Sequence, residues 1–344
     1  MNVPPRVNPA QNARLSRRSF LTTAAAGSAA ALGLLGGGGR AAASTRVSTP
    51  NLVSLGTKGR IGATVTDFLY PDNYSRIGAA GIFDGYITPA IGAQVIQKYY
   101  FAESQWLTSP LPADVTQLPA QYSNFKWIMC FRPSLKMTKA DQTSLQQSCQ
   151  LLTDAGISFD VVLWQEPNGV HRTWFKTAAD YQNYFYFYRP YVPSGIDVIY
   201  ISCGSATQDD QQGFFPSQGG VAKVYCDFYG NVYASALWGG IKSPLATLAD
   251  IADDNGLPLG IGEWGYGTTP DRTLTPTTKP TATQFVDYMI SVFSARLNAG
   301  KTNGDIVYFD GRSSADTQNL ITSITDWKVP LFQKVYNELA GSLG

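Results

Sequence analysis

Eight short runs of aliphatic, aromatic and β-branched residues recur along the chain, and they limit its fold more than any other feature. They are Arg60–Thr66, Gln94–Phe101, Phe125–Arg132, Phe159–Glu166, Asp197–Gly204, Ala222–Tyr229, Leu259–Trp264 and Asp305–Asp310. Most are almost continuously apolar, as in Val161-Val162-Leu163-Trp164 and Val198-Ile199-Tyr200-Ile201, which is the pattern of strands covered on both faces of a parallel sheet. Parallel strands need long crossovers, and several intervening segments carry helical periodicity with readable ends. One helix is expected to start at a Thr138 cap, align Leu145, Cys149 and Leu152, and stop at Gly156. Another opens with Ser243 as cap and Pro244 at the first helical position, carries Leu245, Leu248 and Ile251, and closes at Gly256. Thr283 to Gly300, with Phe285, Met289, Phe293 and Leu297, and Pro330 to Leu339, with Leu331, Val335 and Leu339, repeat the pattern. Strand and helix in alternation predict an α/β fold, a closed (β/α)8 TIM barrel forming a single domain over residues 59–344. Asp67 to Ala93 is rich in Gly and Pro and shows no clean helical period, which leaves an irregular or open sheet as the competing architecture.

Residues 1–43 stand apart from this pattern. Ser16-Arg17-Arg18-Ser19-Phe20-Leu21 precedes an Ala/Gly/Leu-rich run to Gly39, and Ala41-Ala42-Ala43 offers the small residues of a cleavage site. This reads as a twin-arginine export signal, removed near Ala43, followed by a Ser/Thr/Pro-containing lead-in over 44–58. A membrane anchor wants about twenty strongly apolar residues; Leu21 to Leu35 is shorter and only mildly hydrophobic, so a secreted chain without an anchor is expected. The whole chain has 26 basic and 25 acidic side chains, five arginines lie in the leader, and the remainder is mildly acidic. Without a basic stripe there is no case for nucleic acid or an anionic membrane surface. Cys130, Cys149, Cys203 and Cys226 lack the close spacings that hold zinc, and no phosphate-binding glycine fingerprint accompanies a strand–helix junction, so neither metal nor other cofactor is expected. The thiols read as buried small apolar groups, although an oxidising destination permits a bridge. A monomer is expected.

Barrel enzymes carry their chemistry at the C-terminal ends of the strands. The fourth run ends Trp164-Gln165-Glu166-Pro167-Asn168, and the seventh ends Gly262-Glu263-Trp264. Strict alternation sets Val162, Trp164 and Glu166 on one side of their strand and Leu259, Ile261 and Glu263 on one side of theirs, each glutamate closing an inward column. Strands four and seven lie nearly opposite across a barrel mouth, where two long carboxylates meet at the separation that double-displacement glycoside hydrolysis needs. An apolar setting that keeps the acid protonated would come from Trp164, Phe228 and Trp264.

The run Trp164-Gln165-Glu166-Pro167-Asn168, with Glu263 ending strand seven, resembles the Trp-Asn-Glu-Pro-Asn signature of clan A glycoside hydrolases. The resemblance spans about Arg60 to Asp310. It implies a retaining (β/α)8 hydrolase, with Glu166 as general acid/base, Glu263 as nucleophile and a carbohydrate as substrate. Two departures stand out. Gln165 replaces the Asn that contacts the sugar 2-hydroxyl, and strand eight ends Val307-Tyr308-Phe309-Asp310-Gly311 where the group often has Trp.

Other residues of the expected mouth are candidate sugar contacts. Asn168 follows the acid/base. Arg132 ends strand three, either bonding the nucleophile or a hydroxyl or making an ordinary salt bridge. Tyr229 ends strand six and is placed to hydrogen-bond the nucleophile. Asp227 is the rival carboxylate, either orienting a hydroxyl or serving as catalytic partner in an inverting reaction. His171, the only histidine, lines the cleft or lies at the surface; alone, it excludes a multi-histidine metal site. Trp106, Trp174, Trp238 and Trp264, with Tyr266, offer rings for stacking on sugars or for packing. A barrel that binds carbohydrate without turnover is the competing function.

Overall fold

The computed structural model describes residues 61–65, 94–121, 125–169, 174–204, 206–229, 243–265, 282–310 and 329–339. The leader (1–43) and the lead-in (44–58) lie outside these, as do Gly- and Pro-rich residues 67–93.

Eight strands form a closed parallel barrel in sequence order. They are β1 (Ile61–Val65), β2 (Gln94–Glu103), β3 (Phe125–Arg132), β4 (Phe159–Leu163), β5 (Val198–Cys203), β6 (Lys223–Tyr229), β7 (Leu259–Gly265) and β8 (Asn303–Asp310). The last pairs with β1, from Ile61 opposite Ile306 to Val65 opposite Asp310, and closes the ring. This is the barrel expected from the eight apolar runs, and it excludes the open sheet. Among the described residues an α-helix follows each of β2 to β8: α1 (Ala113–Gln121), α2 (Lys139–Asp154), α3 (Ala178–Tyr188), α4 (Gln208–Phe214), α5 (Pro244–Asp254), α6 (Ala282–Asn298) and α7 (Val329–Leu339).

Local chemistry explains the helix ends. The Thr138 hydroxyl accepts from the Asp141 amide and Ser243 accepts from the Ala246 amide, each satisfying one N–H that the first turn leaves without a partner. Gly156, Gly256 and Gly300 take positive φ just beyond α2, α5 and α6, where a side chain would strain the backbone. Helices α1, α3 and α4 have no such cap-to-glycine pattern in the sequence reading; α1 contains Pro119, and α3 is an aromatic-rich run with a Thr177–Asp180 capping box.

Two apolar clusters divide the work. The larger lies between strands and helices and includes Trp127, Phe131, Leu145, Leu152, Tyr184, Phe228, Leu248, Ile261, Phe285 and Phe293. The smaller contains strand residues alone, Ile96, Ile128, Cys130, Val162, Ile199, Ile201, Tyr225 and Val307, and fills the barrel. Below it, at the N-terminal ends of the strands, lies a charged floor. Lys126 pairs with Asp160 and, at 3.3 Å, with Asp305; Lys223 reaches Asp160 at 2.8 Å and Asp197 at 2.9 Å. The Tyr225 hydroxyl donates to Asp305 at 2.7 Å and accepts from its amide at 2.9 Å. All four cysteines are buried thiols and none is joined in a disulfide.

Asp160 is buried and faces both floor lysines, so Asp160→Ala leaves Lys126 with Asp305 alone and Lys223 with the half-exposed Asp197 alone among their described carboxylate partners. Breaking such a pair costs about 3–5 kcal/mol, and the urea midpoint should drop accordingly. Asp287→Ala, which removes an exposed carboxylate from Lys334 and leaves it Glu338, should shift it little. Equal shifts for the two variants would show that the floor contributes no more than a surface pair.

Candidate active site

Strand β7 supplies the central carboxylate by breaking its own alternation. Leu259 and Ile261 pack outward into the shell against the helices, not inward as strict alternation predicted. Their neighbours Gly260 and Gly262 face the barrel, where no side chain fits: a methyl at Gly260 would lie 2.4 Å from the Tyr225 ring, and one at Gly262 would lie 2.6 Å from Asp227 Oδ1. Cys226 of β6 pairs with Ile261, yet the next residue, Asp227, pairs with Glu263. Gly262 is therefore the extra residue of a β-bulge, which shifts the phase by one and turns Glu263 inward. Glu263 faces the interior as expected, but by a different route.

Four donors converge on that carboxylate. Its Oε1 accepts from Lys98 Nζ at 2.8 Å, the Tyr100 hydroxyl at 2.5 Å and Gln165 Nε2 at 2.8 Å; Oε2 accepts from the Tyr229 hydroxyl at 2.6 Å. Burial alone would raise the carboxyl pKa, but the Lys98 charge and the bonds from Lys98, Tyr100 and Tyr229 outweigh it and hold it below the usual range. Lys98 itself is fully buried. Burial favours its neutral form, but the adjoining carboxyl pair, Asp227 and Glu263, prevails and keeps it an ammonium. Tyr100 and Tyr229 are pushed well above the usual phenol range, first by burial and then by the adjacent charge, so both remain donors.

Lys98 and Tyr100 were missed in the sequence. A signal was present: Lys98 is the one charge in Gln94–Phe101, on the same strand parity as Ile96 and Tyr100, and a cation inside a strand fit for burial needs a buried anion. Arg132, a candidate to bond the nucleophile or a sugar hydroxyl or to make an ordinary salt bridge, has its guanidinium over the Trp164 ring at 5.6 Å. Lys98 occupies the role at Glu263 that was considered for Arg132.

The segment after β4 is irregular. Trp164 and Glu166 take φ of 66° and 49°, a left-handed conformation costly for residues with a Cβ. The first flips Trp164 out of the inward column and into the helix shell, against Phe175 and Tyr184, so that Gln165 points inward. Gln165 Nε2 bridges Asp227 Oδ2 at 2.6 Å and Glu263 Oε1 at 2.8 Å, and its Oε1 accepts from the Cys130 thiol at 3.4 Å. Both amide hydrogens thus serve carboxylates. Glu166 is anchored by its amide to the Ile201 carbonyl at 3.1 Å and is half-buried. Its carboxyl lies near enough to push the pKa values of Asp227 and Cys226 upward, behind larger contributions from burial. Because all strands are parallel, Glu166 beyond β4 and Glu263 near the end of β7 share one end of the barrel.

Asn168 serves the backbone more than an open cleft. Its Oδ1 accepts from the Cys203 amide at 3.0 Å, its Nδ2 donates to Ser202 at 2.9 Å, and it is 1% exposed. It fastens the Glu166 loop to β5. Trp264 is fully buried in the outer shell, and Phe228 stacks on Phe285 of α6. All three of Trp164, Phe228 and Trp264 belong to the buried cluster between strands and helices, and the Trp264 ring offers no face to a sugar. Trp106 stacks on Phe131, whereas Trp174 is 47% exposed and meets Trp164 edge-on. Asp227 is wholly buried, directed inward between Lys98, Gln165 and Glu263. His171, Trp238 and Tyr266 lie outside the described residues. Among the described residues no group of three or more His, Cys, Asp or Glu could hold a metal ion, and no helix is long and apolar enough to cross a membrane.

No protein-family pattern matches the chain, and no curated protein matches it in sequence. Solved structures do resemble it. A structure of fungal β-1,4-galactanases superposes with TM-score 0.55 at 11% identity, covering 80% of this chain and 99% of that one. A modular endo-β-1,4-mannanase from Cellulomonas fimi, of glycoside hydrolase family 26, superposes with TM-score 0.50 at 12% identity, covering 83% and 74%. At such identities the likeness establishes the shared barrel fold, the one implied by the resemblance to clan A glycoside hydrolases.

The bulge predicts that Gly262→Ala forces Asp227 or the β7 backbone to move. Overpacking of this kind costs about 1–3 kcal/mol, read as a lower denaturation midpoint. An unchanged midpoint would mean that the space beside Asp227 is not tight.

Proposed function

We propose that the protein is a retaining glycoside hydrolase, with Glu263 as nucleophile and Glu166 as general acid/base. The observation that carries this reading is the Glu263 carboxylate, kept ionised by four donors at the same barrel end as Glu166. Among the described residues Oε1 is engaged by three donors and Oε2 by Tyr229 alone, so Oε2 is the less engaged oxygen and the attacking atom. It forms a bond to the anomeric carbon while Glu166 gives its proton to the departing oxygen. Glu166, now ionised, takes a proton from water, and the hydroxide equivalent displaces Glu263 with net retention.

Asp227 is poorly suited to the inverting alternative. One nitrogen bonds both its Oδ2 and Glu263 Oε1, at 2.6 and 2.8 Å, so the pair lies closer than the ~6.5 Å that an intervening water requires. Asp227 also has no exposed surface. The fold it shares with a galactanase and a mannanase supports a β-linked polysaccharide as the substrate class. We further propose that the twin-arginine leader exports the enzyme, with cleavage near Ala43.

Glu166→Gln should slow a natural polysaccharide about 10²–10⁴-fold and an aryl glycoside with an acidic leaving group far less; equal losses would remove Glu166 from the acid role. Lys98→Met takes away the main influence holding the Glu263 pKa down while burial still pushes it up. Activity lost on acidification, as Glu263 takes its proton, should then be lost at a higher pH than in wild type. An acid limb that stays put would mean Lys98 does not set the charge of Glu263.

A further inference from the structure

The two inward carboxyls of β6 and β7 are unequally provided for. Glu263 accepts four hydrogen bonds. Asp227, its register partner, accepts one side-chain bond, from Gln165 to Oδ2. Its Oδ1 accepts none from the described residues, with Lys98 Nζ 3.6 Å away and Gly262 packed against it. The Asp227 side chain has no exposed surface through which water could compensate. The polar groups around it are Lys98 and Tyr100 from β2, Cys130 from β3 through Gln165, Gln165 and Glu166 beyond β4, Cys203 of β5, Cys226 and Tyr229 on β6, and Glu263 on β7. Among them Lys98 is the sole cation.

We propose that Asp227 is a positioning residue that works as a neutral carboxylic acid, leaving the single negative charge of the pair, and the Lys98 ammonium with it, to Glu263. One buried ammonium and one shared amide cannot satisfy two buried carboxylates, and the charge settles where the donors are. Burial first, and the Glu263 charge second, push the Asp227 carboxyl well above its usual range against the pull of Lys98. The neutral acid still accepts from Gln165, so it fixes the amide that steers Glu263 Oε1 without competing for Lys98. As pH rises and Asp227 ionises, Lys98 and Gln165 are drawn toward it, and Glu263 loses both its alignment and its exclusive counter-ion.

Protein labelled with ¹³C at aspartate carboxyls tests this directly by NMR. One carboxyl should remain protonated at neutral pH, and its resonance should vanish in Asp227→Asn. A second arm rests on the glycosidase reading. With an activated aryl glycoside, whose leaving group needs no proton from Glu166, wild-type activity should still fall at alkaline pH, and Asp227→Asn should extend that limb upward by about one pH unit or more. Should Asp227→Asn not fold, the wild-type resonance, assigned by its shift in Lys98→Met, decides alone. Only ionised aspartates at neutral pH would overturn the proposal. A protonated Asp227 in a protein that cleaves no glycoside would leave it standing while the functional reading fell.

Discussion

A carboxylate enclosed by protein stays charged only if donors replace the water it has lost, and the upper half of this barrel is arranged around that requirement at Glu263. Lys98 and Tyr100 come from β2, Gln165 from the segment after β4 and Tyr229 from β6. No two neighbouring strands could supply this set. It depends on closure of the ring, which brings β2 and β7 to face a common centre. Closure in turn depends on the inner apolar layer of Ile96, Ile128, Val162, Ile199, Ile201 and Val307, which fills the middle of the barrel.

Charge at both ends with hydrocarbon between gives the barrel two separate polar networks. The floor pairs Lys126 and Lys223 with Asp160, Asp197 and Asp305, opposite charges meeting directly at the strand starts. Among the described residues, one ammonium, Lys98, serves the two buried mouth carboxyls Asp227 and Glu263. At the floor the third carboxylate, Asp197, is half solvated and each aspartate has a lysine or tyrosine partner, whereas among the described residues both mouth carboxyls are buried around one ammonium, which makes them chemically unlike. Strain collects at the mouth as well: left-handed Trp164 and Glu166, and a bulge at a position only glycine can fill. Each irregularity turns one side chain, Gln165 or Glu263, toward the centre.

The barrel was legible because strands buried on both faces must be apolar throughout, and because Thr138, Ser243, Gly156 and Gly256 mark helix ends by local chemistry. Glu166 and Glu263 were legible as a pair because topology alone sets strand ends four and seven on one side. What sequence could not give was the phase of the strands near their ends. The bulge at Gly262 and the left-handed Trp164 each shift the alternation by one, so the inward column was assigned to Trp164 and Ile261 although both face the helices. Gln165 and Asn168 could be marked as mouth residues, but whether their amides face a sugar, a carboxylate or the backbone depends on that phase. Lys98 was readable in principle: its burial follows from the strand, and its partner from the shortage of cations at the mouth.

Covalent trapping tests the account most directly. The protein would be incubated with a 2-deoxy-2-fluoro glycoside bearing an activated leaving group, built on the sugar that a polysaccharide panel selects, then digested and mapped by mass spectrometry. The account predicts one added fluoroglycosyl group, on the peptide carrying Glu263, with Asp227 unlabelled. A label on Asp227, or turnover that gives the inverted anomer with no label on either residue, would contradict it.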